Sequence, residues 1–197
     1  MTKSILSMLM LFSLMSCNSL SGIKVPDNYA ENLPESSKID IPHILQRDRY
    51  SCATTSLAMV ISYYDKTNYS KIDFWEASKS RINDVRSYGN DMAGLKRAAE
   101  HYGYTKYDLM MVFNKEKIKF LISEGIPVIV NIRNFFKNSY HAVVVNGYDK
   151  DGFFITDPAS SYEYKKSYEK FNAHWYANLS SPKGKHKKTA FIVYPKQ

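Results

Sequence analysis

Gln46, Cys52, His141 and Asp157 are side chains of the types that break an acyl bond with a sulfur nucleophile. That chemistry needs a thiolate, a base beside it, and a group that orients the base. Cys52 opens a stretch in which Ala53, Leu57, Val60, Ile61 and Tyr64 share one face of a 3.6-residue period. The spacing predicts a helix over 52–64, with the thiol at its N-terminus. Backbone N–H groups and the helix dipole favour negative charge there, the condition for a nucleophile. Gln46, six residues earlier, carries an amide suited to an oxyanion. Taken alone, the stretch reads first as a buried structural cysteine behind a surface glutamine, since cysteine is among the most buried residue types.

The base must come from the five histidines. His43, His101, His174 and His186 sit in contexts that suit ordinary structural histidines. His141 differs, because it begins the apolar run Ala142-Val-Val-Val145 and so stands at the mouth of a predicted strand. Asp157 ends the next predicted strand, where Asp157-Pro158 also suits a simple strand terminator. If 140–148 and 153–157 pair with Val143 opposite Asp157, His141 is the diagonal neighbour on the same face, about 7–8 Å away at Cα. A slip of one residue puts the two on opposite faces. A catalytic pair therefore predicts a three-residue turn or a bulge near Asp149–Gly152.

The elements that must hold these residues follow from periodicity and punctuation. Ile39 to Leu45 alternates and reads as a short extended segment with Pro42 at an edge. Residues 70–88 are indistinct. Helices are predicted at 92–102, capped by Asn90 or Asp91 and stopped by Gly103, at 115–124, capped by Asn114 and stopped by Gly125, and at 167–176. Strands are predicted at 127–132, 140–148, 153–157 and 189–194, with a basic loop at 182–188. Helices first and strands later argue an α+β fold, with an antiparallel sheet packed on the Cys52 helix.

The chain has 197 residues, 44% of them hydrophobic and 23% charged, which suits one globular domain. Its net charge of +8 suits an anionic membrane or an acidic polymer, and no nucleic-acid motif accompanies it. Lys3 precedes an apolar run from Ile5 to Met15, short for a membrane span and of signal-peptide length. The run ends Leu14-Met-Ser-Cys17, which resembles the lipobox of bacterial lipoproteins, with Met15 where a small residue is more usual. That resemblance implies cleavage before Cys17 and acylation on it. More than one acyl chain gives stable membrane attachment. The division expected is a signal peptide over 1–16, a flexible tether over 17–38 and a catalytic domain over 39–197. With Cys17 lipidated, Cys52 has no disulfide partner in a chain that has 2 cysteines. A lone exported thiol is a candidate nucleophile.

Gln46-x5-Cys52-Ala, Gly125-Ile-Pro-Val-Ile-Val, His141-Ala-Val-Val-Val-Asn-Gly-Tyr-Asp, Phe154-Ile-Thr-Asp-Pro and Phe171-x3-Trp175 occur in this order. The set resembles the papain-like cysteine peptidases of the bacteriocin-processing, double-glycine leader peptidase family, in its stand-alone branch. The resemblance spans about Ile41 to Tyr194. It implies a papain-like fold with no metal or cofactor, Cys52 as nucleophile, His141 as general base, Asp157 as orienter and Gln46 as oxyanion donor. Ala53 stands where family members often have glycine. No phosphate-binding glycine loop or membrane bundle accompanies the domain, so leader processing beside a transporter is not the expected task. The expected function is a cell-envelope lipoprotein, a monomer on the outer membrane if the host has two, that hydrolyses peptides or proteins. Acyl or peptidyl transfer at the same site, or a retired peptide-binding module, are the alternatives.

Overall fold

The computed structural model describes residues 20–83, 85, 92–110, 114–134, 139–175 and 188–196. The segment holding Cys17, the Asn90–Asp91 cap and His186 lie outside them. Among the described residues the elements run β1 (Ser37–Lys38), α1 (Cys52–Asp65), α2 (Lys71–Ser78), α3 (Met92–His101) and β2 (Tyr107–Met110). There follow α4 (Lys115–Ser123), β3 (Val128–Asn134), β4 (Ser139–Tyr148), β5 (Gly152–Thr156), β6 (Tyr164–Ser167), α5 (Tyr168–His174) and β7 (Ala190–Val193). The architecture is α+β, as its sequence order implies.

The strands form one antiparallel sheet in the order β2-β7-β3-β4-β5-β6. Strand β1 pairs with the end of β4 that β3 leaves uncovered, Ser37 facing Tyr148 while β3 begins with Val128 facing Val145. Helix α1 is the centre of the molecule. Every residue from Cys52 to Ser62 is buried, so the one-sided apolar stripe gives way to a helix covered all round. Thr55, Ser56 and Ser62 share in this burial. The Ser56 hydroxyl donates to the Ala142 carbonyl at 3.3 Å, pinning the helix one turn below Cys52 to the residue beside His141. At its other end Tyr64 donates to the Val193 carbonyl at 2.9 Å.

The other helices start and stop for local reasons. Asn114 accepts from the Lys117 N–H at 2.8 Å and caps α4, and Gly125 ends it with φ +76°, a conformation costly for any residue with a Cβ. Ser70 caps α2 by accepting from Ile72 N–H at 3.2 Å, which resolves part of the indistinct 70–88 region as a helix. Ser167 caps α5.

Two expectations need correction. The extended segment expected at Ile39–Leu45 is no strand; pairing falls one step earlier, in β1, and Ile39 and Ile41 are core residues on an irregular path. The tether expected over 17–38 is, from residue 20, part of the domain. Leu20 is 6% exposed, Ile23 and Val25 pack on the core, and Tyr148 donates to the Pro34 carbonyl at 3.1 Å. Polar turn residues between these apolar anchors gave the stretch the composition of a linker. Strands β2 and β6 also went unread, because each has only 4 residues and mixes charge into its pattern.

Candidate active site

The hairpin of β4 and β5 brings His141 and Asp157 together. Val144 faces Thr156 and Val145 faces Ile155, the register in which His141 and Asp157 share a face. Beyond it the register shifts, so that Gly147 faces Phe154 and Asn146 is the bulged residue. The expected bulge thus exists, inside β4 and ahead of the Asp149–Gly152 turn. Asn146 is fixed there by its amide, which donates to the Ile39 carbonyl at 3.0 Å and to Glu163 Oε2 at 2.8 Å.

His141 Nε2 lies 2.5 Å from Asp157 Oδ1. The Cys52 side chain hydrogen-bonds the same imidazole. Cys52 is 5% exposed and opens α1. The first backbone bond of that helix runs from Thr55 N–H to the Ser51 carbonyl at 2.9 Å, so the Cys52 N–H stands ahead of it, at the positive end of the helix. Ser51 makes no side-chain cap. Instead Asp48 Oδ1 accepts from Tyr50 N–H at 2.7 Å and Ser51 N–H at 3.0 Å, shaping the loop that leads into Cys52.

Asp157 is held from several directions. Ala159 N–H donates to Oδ1 at 2.8 Å, and the Tyr164 hydroxyl donates to Oδ2 at 3.1 Å. His43 Nε2 reaches the Asp157 carbonyl at 3.0 Å. The sequence marks Asp157 as a candidate but shows none of these supports, and His43 reads there as an ordinary structural histidine. The one available signal was Tyr164 in the alternating run after the turn, and only the β5–β6 pairing reveals its partner.

Burial disfavours charge on both members of the pair, yet each stays ionised. Burial lowers the His141 pKa, but hydrogen bonds to Asp157 and Cys52 and their negative charge outweigh it and push it up to about 10. Burial raises the Asp157 pKa, but the His141 bond and charge, with Ala159 and Tyr164, hold it below the usual carboxylate range. Because the folded His141 pKa is raised, its stabilising contribution is complete below the unfolded value of 6.5 and is lost as pH rises through about 10. Denaturant titrations of the protein and of His141→Gln should therefore converge in stability as pH is raised from neutrality through that range.

The Tyr164 bond lends itself to a second test. Tyr164→Phe removes a hydrogen bond to a charged acceptor, of the kind worth about 1.5–3 kcal/mol. Asp157 then protonates at higher pH. The expected result is a fall in kcat of at most about a hundredfold, the rate equivalent of such a bond, with KM unchanged and the acid limb of the pH profile moved upward.

Gln46 is beside this site but differently engaged. Its backbone N–H donates to the Pro158 carbonyl at 2.7 Å, tying the loop to the residue after Asp157. Its side-chain amide donates to the Asp48 carbonyl, and its Oε1 is buried without a hydrogen-bond partner. The glutamine therefore turns into its own loop, and an oxyanion would have to draw the amide away from Asp48.

Residues 38–181 match the family described as Peptidase_C39 like. The chain belongs to this family. All of Gln46, Cys52, His141 and Asp157 fall within the matched span, and the C39-like assignment makes the chain a cysteine-type peptidase. A search of curated proteins finds no match. Among solved structures, the chain is similar to a presumptive C39-like peptidase from Bacillus anthracis, at 20% identity and TM-score 0.64, covering 83% of this chain and 100% of that one. It is similar to a double glycine motif protease from an AMS/PCAT transporter, solved with its leader peptide, at 21% identity and TM-score 0.57, covering 81% and 95%. Xylellain, a cysteine protease from Xylella fastidiosa, matches at 13% identity and TM-score 0.61, covering 89% and 91%. At such identities the likeness carries the papain-like fold. Among the described residues no group of His, Cys, Asp and Glu could hold a metal ion, and no helix is long and apolar enough to cross a membrane.

Proposed function

We propose that this C39-like chain is a lipid-anchored cysteine peptidase of the cell envelope, hydrolysing peptide bonds through a thioester on Cys52. The observation that carries the chemistry is the His141 imidazole, bonded to Asp157 on one side and to Cys52 on the other. His141 holds the thiol proton, and the Cys52 sulfur attacks the scissile carbonyl carbon. The oxyanion that forms is held by the Cys52 backbone N–H and by the Gln46 amide, once it has left the Asp48 carbonyl. Collapse breaks the C–N bond. His141 passes its proton to the departing amine, leaving the acyl group on sulfur. His141 then takes a proton from water, the hydroxide attacks the thioester, and the acid leaves as the proton returns to the thiolate. Asp157 keeps the imidazole oriented and its cationic form stable throughout.

The anchor rests on the Leu14-Met-Ser-Cys17 sequence and on the basic charge of the chain. A fluorogenic peptide library tests the activity, with cleavage expected for the protein and none for Cys52→Ala. Equal cleavage by both would remove Cys52 from the reaction. Mass spectrometry of the membrane fraction tests the anchor, which requires acyl chains on Cys17.

A further inference from the structure

Leu20, the first described residue, is buried, three positions after Cys17. Ser21 N–H donates to Asp108 Oδ2 at 2.8 Å and the Ser21 hydroxyl to the Tyr107 carbonyl at 3.2 Å, both on β2. Asp108 Oδ2 also accepts from the Tyr194 hydroxyl at 2.5 Å. Gly22 lies flat on that same tyrosine; a Cβ there would stand 2.0 Å from the ring. Residues 20–22 thus form a clip on β2 and on the segment after β7, at one edge of the sheet. Three residues span at most about 10 Å even when fully extended. A lipid on Cys17 would therefore leave almost no slack between bilayer and domain.

We propose that the β2 edge of the sheet sits directly on an anionic bilayer surface, so that the anchor fixes the orientation of the peptidase as well as its location. This inference rests on the lipoprotein reading above. The edge has the composition for it. Leu109 is 42% exposed on β2, and Lys24 and Lys106 are exposed beside the clip. Exposed lysines beside an apolar side chain suit anionic headgroups and the boundary beneath them. The orientation also sets the substrate. Strand β4, which carries His141, is three places from β2 in the sheet. At about 4.8 Å per place, His141 stands roughly 14 Å from the β2 edge. The substrates are then polypeptide segments lying close to the bilayer.

The test uses the full chain, purified from membranes as the Cys52→Ser variant, with a single fluorescent label at Leu109→Cys or at Tyr162→Cys. Tyr162 is 68% exposed on the turn between β5 and β6, at the far edge of the sheet. In anionic vesicles containing headgroup spin-labelled lipid, the label at 109 should lose most of its fluorescence and the label at 162 should keep it. Gly22→Val, which breaks the clip, should remove the difference. Equal quenching at both positions, with Cys17 shown by mass spectrometry to be acylated, overturns the fixed orientation and leaves the anchor standing. Absence of acylation overturns both.

Discussion

Cys52→Ala is expected to keep the fold and to lose peptide hydrolysis by a factor of about 10⁴ or more, the scale on which nucleophiles act when they work as a unit with their base. Cys52 is 5% exposed, and alanine fits its place at the start of α1. The change removes a sulfur and little volume, so thermal unfolding should shift only slightly. Cys52→Ala should also alter His141. The imidazolium owes part of its stability to the hydrogen bond and negative charge of Cys52, so NMR titration of His141 in the variant should give a lower pKa than in the protein. An unchanged His141 titration would separate the two residues, whatever the activity showed.

Asp157 offers a pair of variants whose difference is more informative than either alone. Asp157→Ala should cost about 10²–10⁴-fold in kcat, because the imidazole loses both its orienting acceptor and the charge that stabilises its cation. Asp157→Asn should cost much less. In a thiolate–imidazolium pair both ring nitrogens carry protons, and Nε2–H can still donate to an amide oxygen at the Oδ1 position. What the asparagine cannot supply is charge. Losing it lowers the His141 pKa, so the alkaline limb of the activity profile should move to lower pH in Asp157→Asn. Equal damage from Ala and Asn would mean that charge, and not orientation, is the contribution of Asp157. The Ala159 N–H and Tyr164 hydroxyl bonds, which position the carboxylate, would then matter chiefly through the charge they preserve.

How far the site could be read from the chain depended on how local each signal was. The place of Cys52 was legible because the helix it opens leaves a periodic pattern in the 12 residues after it. His141 and Asp157 were legible as strand-end residues, and the requirement that they share a face exposed the need for a bulge. The position of the bulge was not legible. It is fixed at Asn146 by bonds to Ile39 and Glu163, 107 and 17 residues away, and such partners leave no local trace. Tyr164 and His43 were missed for the same reason: each meets Asp157 through tertiary placement of an unremarkable polar residue. The segment from Leu20 was misread for a different reason. Composition marks a stretch as polar, while burial of Leu20, Ile23 and Val25 depends on where the sheet edge offers a seat. Gln46 occupies the expected neighbourhood, but its amide is satisfied by Asp48, a local competition that spacing alone does not register.

The most direct test of the central claim is the rate at which iodoacetamide alkylates Cys52 at pH 6, measured by mass spectrometry in the protein and in His141→Ala. The claim is that His141, charged by its setting, holds Cys52 ready as a nucleophile. The expected result is alkylation well above that of free cysteine at the same pH, falling by about 100-fold in His141→Ala. Equal rates in the two proteins would contradict it.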